Sequence, residues 1–283
     1  MIAKRVEPHR WNGNPPLVAS TVIVVTWLLT EDRGLVRWLT IDRPERKNAV
    51  PFEGWGELRS AFEDFERSEQ RVLVVTGSGG EFCAGADLDP SRLDRIQTVG
   101  DRHARMKGVG SAAMALHRST KPTIAAVDGV AVGAGMNLAL GCDVVVATER
   151  ARFAEIFVRR GLTVDFGGSW LLPRTVGLQR AKELALSGRI VEGEEAGRIG
   201  LVAEVVPVDQ LEARVTEMAE SFLQGAPTAQ MFAKQTINAA FQMSLADALS
   251  WEGEAQSVAL GTEDAAEGLL AFLEKRDPEW RGK

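Results

Sequence analysis

From Trp27 to Val206 the chain alternates between two kinds of stretch, and this alternation limits the possible folds more than any other feature. Leu35 to Ile41, Val72 to Thr76, Thr123 to Asp128, Val144 to Ala147 and Val202 to Val206 are short, apolar and rich in β-branched residues. They read as buried strands. Between them Glu53 to Glu66, Asp101 to Arg118, Ala134 to Leu140 and Arg180 to Leu186 carry helical spacing. Strands and helices in turn predict an α/β layered fold with right-handed crossovers. After Pro207 the strands stop. Leu211, Val215, Met218 and Phe222 recur at three- and four-residue steps, the mark of one apolar helix face. A further helix is expected from Thr228 to Gln242, and two more towards Lys275.

Composition narrows the function classes. With 45% hydrophobic and 25% charged residues, the 283-residue chain can bury a large core. A formal net charge of −6 argues against nonspecific binding of nucleic acid. Two cysteines, Cys83 and Cys142, and three histidines provide neither a disulfide framework nor metal-ligand spacing. A cytoplasmic setting is expected. The apolar run Val18 to Leu29 is too short to span a membrane and is interrupted by Ser20, Thr21 and Thr26. It reads as an extra strand or an upstream extension rather than a targeting segment.

Three segments stand out, each directly after or within a strand. They are Asp42-Arg43-Pro44-Glu45-Arg46-Lys47-Asn48-Ala49, the run Gly77 to Leu88 containing Cys83-Ala84-Gly85-Ala86-Asp87, and Val127 to Leu138 containing Gly133-Ala134-Gly135-Met136-Asn137. Taken singly, small residues at a strand–helix junction simply allow close packing. Gly133 and Gly135 also match the first two glycines of a dinucleotide fingerprint, but Leu138 holds the third glycine position. No Gly-Lys-Ser/Thr phosphate loop is present.

Together, in this order and spacing, the three segments resemble the crotonase (enoyl-CoA hydratase/isomerase) family from about Trp27 to the C-terminus. The resemblance implies the crotonase-like (ClpP/crotonase) α/β fold, a spiral of ββα units with a helical C-terminal subdomain. It divides the chain into an N-terminal extension (1–26), a core holding the CoA and active sites (27–207) and a helical assembly subdomain (208–283). It implies an acyl-CoA thioester substrate, no cofactor beyond the substrate's own coenzyme A, and a homotrimer or a hexamer made of two trimers. Position by position, it makes the amide N–H groups of Ala86 and Ala134 the oxyanion hole. It makes Arg46, Lys47, Ala84 and Lys275 candidates for contact with CoA, Lys275 across a subunit boundary. The segment from Asp89 to Gly110 is expected to wall the acyl pocket. The oxyanion hole has a physical basis of its own. Proton removal α to a thioester, or addition to its conjugated double bond, places charge on the carbonyl oxygen, and preorganised donors stabilise it.

The chain departs from the hydratase pattern where that pattern places two glutamates. Asn137 stands at the first position and Phe157 at the second, four residues after Phe153. Glu155 lies two residues from the second position, an offset expected to change its reach and direction. In Leu162-Thr163-Val164-Asp165-Phe166-Gly167-Gly168-Ser169-Trp170, however, Asp165 sits among apolar residues, where relatives that shift double bonds often carry one carboxylate. This stretch is similar to the phenylacetate-pathway ring isomerases and related enoyl-CoA isomerases. Burial would raise the pKa of Asp165 and suit it to shuttling a proton. The competing reading makes Asp165 the cap of a helix starting near Phe166. Double-bond isomerisation is therefore the expected reaction. Hydration using Glu155 or Asp165, and acyl-CoA binding without turnover, are the alternatives.

Overall fold

The computed structural model describes residues 23–25, 27–88 and 98–283. Most of the 1–26 extension and the 89–97 part of the expected acyl-pocket wall lie outside the described residues. Strands β1 (Ile23–Val25), β2 (Leu28–Arg33) and β3 (Val36–Ile41) form an antiparallel meander. Helix α1 (Gly54–Arg67) leads to β4 (Val72–Gly77), and α2 (Val99–His117) to β5 (Thr123–Val127). Then come β6 (Val130–Val132), α3 (Ala134–Leu140), β7 (Val144–Thr148) and β8 (Arg152–Ala154). They are followed by α4 (Gly168–Val176), α5 (Leu178–Ser187), β9 (Val191–Glu192), α6 (Gly193–Arg198) and β10 (Glu204–Val206). Helices α7 (Leu211–Leu223), α8 (Pro227–Ala240), α9 (Leu245–Leu260) and α10 (Glu263–Glu274) complete the chain.

The main sheet runs β1-β2-β3-β4-β5-β7-β10, parallel from β3 onward, and includes all five strands expected from the apolar runs. A parallel sheet is covered on both faces, and these strands are correspondingly apolar on both. Leu73, Val75, Ala125 and Val127 enter the larger core, with Trp55, Leu58 and Phe62 of α1 and Leu116 of α2. Their neighbours Val72, Val74, Ile124 and Ala126 point the other way, onto Val215 and Ala219 of α7. The two-residue period of a strand thus sorts one apolar run into two cores.

Helix α7 therefore covers the outer face of this chain's own sheet. The later helices leave large apolar side chains in solvent, among them Leu245, Leu249, Leu260, Leu269 and Phe272, as do earlier positions such as Val99, Leu178 and Leu186. A second sheet, β6-β8-β9, stands beside the first and was not expected from the sequence. Its strands are two or three residues long, too short for a period to register. No helix among the described residues is long and apolar enough to cross a membrane.

Candidate active site

The first and second segments are stitched together by main chain and by one buried amide. After the 3-10 turn Pro44–Arg46, Lys47 and Asn48 take left-handed conformations with φ of 50° and 57°. Asparagine tolerates this region better than most residues. The fully buried Asn48 accepts from the Arg43 N–H at 2.8 Å and donates to the carbonyls of Ser78 and Glu81 at 2.9 and 2.6 Å. The Ala84 N–H donates to the Lys47 carbonyl, and those of Val50 and Asp87 donate to Gly85 and Val50. These last two bonds form a parallel bridge between Val50 and Ala86 that leaves the N–H of Ala86 itself unused.

The second and third segments meet more closely still. Phe82 and Cys83 both donate to the Val130 carbonyl, and Val132 donates back to Cys83. Helix α3 then starts against this strand. A Cβ on Gly135 would lie 2.0 Å from the Cys83 carbonyl oxygen, and one on Gly85 would lie 2.9 Å from the Val132 oxygen and 3.3 Å from the Ala134 nitrogen. The glycines are thus required by backbone contact. Ala134 is the first residue of α3, where an N–H has no partner within the helix and the dipole favours negative charge. The structure brings Ala86 and Ala134 to one seam, Ala134 buried and Ala86 partly buried.

A cluster of polar side chains lies next to this seam. Asn137, on the first turns of α3, is fully buried, and its Nδ2 donates to the Asp165 main-chain carbonyl at 2.9 Å and to Glu155 Oε2 at 3.4 Å. The expected loss of reach at Glu155 is thereby corrected. Its side chain is fully buried beside Asn137, because the chain leaves β8 at Ala154 and turns into the 3-10 helix Ile156–Arg160. The same turn places the Phe157 ring against Gly133, 3.5 Å from where a Cβ would stand. Burial, set against the Asn137 hydrogen bond and reinforced by the charge of Asp165, pushes the Glu155 carboxyl up to about 7. Burial pushes the Asp165 carboxyl up to about 6, opposed by Arg105. Asn137 Oδ1, Glu155 Oε1 and Asp165 Oδ1 are buried without a partner among the described residues.

Asp165 does not cap a helix. Helix α4 starts three residues later, at Gly168, with Gly167 at its cap and no side-chain cap. On the other side, the Phe166 ring packs at 5.6 Å from Trp55. Trp55, Phe52, Ala104 and Arg105 line a cavity of about 310 Å³ between α1 and α2, and the Arg105 guanidinium lies 4.0 Å from the Phe52 ring centre. Of the segment expected to wall the acyl pocket, Asp101, Ala104, Arg105 and Gly108 on α2 line this cavity. Arg105 was not anticipated; nothing in its local sequence sets it apart from Arg102 or Lys107.

The CoA candidates divide into two groups. Arg46 and Lys47 are half-exposed on the first segment; Lys47 Nζ pairs with Glu81 at 3.0 Å and Arg46 lies 4.0 Å from Asp87. Ala84 is tied to the same segment through its N–H. Lys275 is exposed at the C-terminal cap of α10, and no hydrogen bond or ion pair among the described residues joins it to the other three. Both cysteines are buried and unpaired, and burial raises the thiol of Cys83 to about 12. No group of metal-ligating side chains occurs among the described residues.

The family model described as enoyl-CoA hydratase/isomerase matches residues 31–283. The chain is 37% identical to the 1,2-epoxyphenylacetyl-CoA isomerase of Escherichia coli over 250 residues, covering 88% of this chain and 95% of the relative. It is 35% identical to the short-chain-enoyl-CoA hydratase of Clostridium acetobutylicum over 254 residues, covering 89% and 96%. A crystal structure of an enoyl-CoA hydratase/isomerase from Cupriavidus metallidurans superposes with a TM-score of 0.84 at 37% identity, covering 92% of this chain and 98% of that one.

Proposed function

We propose that this chain, which belongs to the enoyl-CoA hydratase/isomerase family, moves a double bond within an enoyl-CoA thioester. Asp165 takes a proton from C2 of a 3-enoyl substrate, and the C–H electron pair passes through the carbonyl carbon to the thioester oxygen. The amides of Ala86 and Ala134 hold the dienolate oxygen. Asp165 then returns the proton at C4, leaving the double bond between C2 and C3. The electron pair stays on the substrate and the proton returns to it, so the step is redox-neutral and needs no further cofactor. Losing one such amide donor costs about 3–4 kcal/mol of barrier.

The observation that carries this reading is the partly buried Asp165 carboxyl, whose buried Oδ1 has no partner among the described residues, tied through its main-chain carbonyl to Asn137 on the helix that begins at Ala134 and facing the charge of Arg105, which lines the cavity. Asn137 and Phe157 cannot exchange protons where the hydratase pattern has glutamates. Arg46, Lys47, Ala84 and Lys275 are assigned to the CoA moiety, with the acyl group in the cavity lined by Trp55 and Arg105. The apolar side chains left exposed on α9 and α10 support a trimer or a hexamer, since such surfaces ordinarily mark an interface. Light scattering tests this, and a monomer would contradict it.

The deciding experiment is turnover of a 3-enoyl-CoA by wild type and Asp165→Asn. Full isomerase activity in the variant sinks the assignment. One observation favours a second reading: Glu155 adds another carboxyl within hydrogen-bonding range of Asn137, and two carboxyls can serve a hydration. Loss of the conjugated-thioester absorbance of crotonyl-CoA on hydration measures that activity directly.

A further inference from the structure

The Asn137 amide joins two carboxyl-bearing residues and is left with one of its own atoms unmatched. One N–H holds the Asp165 carbonyl at 2.9 Å and the other reaches Glu155 Oε2 at 3.4 Å, while Asn137 Oδ1 and Glu155 Oε1 have no partner among the described residues. An ionised Glu155 has only acceptors to offer, so these two buried oxygens stay without a donor, a costly arrangement. A single proton on Glu155 changes this. It supplies the missing donor, and acid and amide then pair through both edges, as two complementary planar groups do.

We propose that Glu155 is a positioning residue that works in its neutral form: its protonated carboxyl pairs with the Asn137 amide, whose other N–H holds the Asp165 main chain, so that Asp165 is kept in place and is the single charged carboxyl of the cluster. The inference rests on the reading of Asp165 as the base. The surroundings agree with it. Helix α3 and strand β6 carry no charged residue. Arg152 on β8, Arg159 and Arg160 on the 3-10 turn, Arg174 on α4, Arg180 and Glu183 on α5, and Glu192 on β9 do not act on Glu155; the charge that does is that of Asp165, and Arg105 acts on Asp165. Arg159 donates to the Ser187 carbonyl, Arg174 packs on Trp170, and Glu183 pairs with Arg189. No cation is therefore directed at Glu155 among the described residues. Its full burial favours the neutral form.

The test compares Glu155→Gln, which keeps the shape and the pairing edges of the neutral acid, with Glu155→Leu, which has neither edge. Isomerase kcat and KM are measured from pH 5 to pH 9. In the wild type kcat is expected to fall once Glu155 loses its proton, with an inflection near pH 7. That inflection disappears in Glu155→Gln. At pH 6.5 kcat of Glu155→Leu falls at least about tenfold below that of Glu155→Gln, the size expected for losing a hydrogen bond that orients a catalytic group. KM differs by less than about twofold, because Glu155 is not placed against the CoA. An inflection that persists in Glu155→Gln overturns the proposal, as does a Glu155→Leu enzyme as fast as Glu155→Gln. If Glu155→Leu does not melt cooperatively, the pH profile of Glu155→Gln decides alone. Asp165→Asn, assayed alongside, separates the two claims. Full turnover there removes Asp165 from the chemistry, whereas an inactive Asp165→Asn with an unchanged profile in Glu155→Gln rejects the role of Glu155 alone.

Discussion

The two halves of the site are built in opposite ways. The amide seam is main chain packed on main chain: Gly85 against Ala134, Gly135 against Cys83, with side chains excluded because no Cβ fits. The carboxyl cluster is made of side chains, Asn137, Glu155 and Asp165, drawn from a helix, a strand end and a loop, and it keeps buried oxygens unsatisfied among the described residues. The first half is a fixed dipole array with nothing to titrate between pH 5 and 8. The second can hold or release protons, at a cost in stability. Sequence change should therefore affect them differently: the seam should fail as a piece of folding, the cluster as chemistry.

The largest expected effect belongs to the seam. Gly135→Ala drives a methyl to within 2.0 Å of the Cys83 carbonyl oxygen, a backbone atom that cannot swing away. We expect a loss above about 4 kcal/mol, seen as loss of soluble protein or of a cooperative melt. A variant that folds normally would break the contrast. Next comes Asp165→Asn in the cluster. Its isomerase rate should drop by about 10²–10⁴, the range for a positioned general base. Its melting temperature near pH 7 should hold or rise, since a partly buried charge that burial disfavours has been removed.

The same contrast explains what was legible in the sequence. Contacts that allow no Cβ leave glycines at Gly85 and Gly135, and a φ of 57° favours one at Gly133, so all three announced the seam. The parallel strands announced themselves because burial on both faces makes them apolar throughout. Asp165 stood out as one carboxylate in an apolar run. Glu155 was undervalued because counting residues from Phe153 takes no account of where a strand ends. Once the chain turns at Ile156, Phe157 goes to Gly133 and Glu155 stays beside Asn137. Arg105 meets Asp165 only through tertiary packing, which leaves no local pattern to read.

A smaller effect separates the halves by pH. The folded-state pKa of Glu155 is raised from 4.5 to about 7, so the folded state holds its proton more tightly than the unfolded chain does. The stability this gives is complete below pH 4.5 and is lost as pH rises through about 7. At 1.36 kcal/mol per pH unit the loss is at most about 3 kcal/mol. Glu155→Gln should remove this part of the decline in denaturant melts between pH 5 and 8. What persists belongs to Asp165, which acts with the same sign between 3.8 and about 6. Because the thiol of the seam, Cys83, is held up at about 12, any seam variant that still melts cooperatively should leave the slope between pH 5 and 8 as it is in the wild type.

The smallest effect lies at the edge of the seam, on Lys47. Its main-chain carbonyl takes the Ala84 N–H, a bond that any residue can make. Its side chain is half-exposed and pairs with Glu81 at 3.0 Å, and a pair so exposed contributes under about 1 kcal/mol to stability. Lys47→Ala should therefore melt like the wild type. If the ammonium instead serves the CoA phosphates, its loss falls on binding alone: KM rises about threefold to tenfold, roughly 1 kcal/mol, with kcat unchanged. The KM effect should shrink with added salt, as expected for a solvent-exposed charge contact. An unchanged KM would leave Lys47 as a partner of Glu81 only. A fall in kcat would mean that this side chain helps to hold the seam, and the division between a main-chain seam and a side-chain cluster would have to be redrawn there.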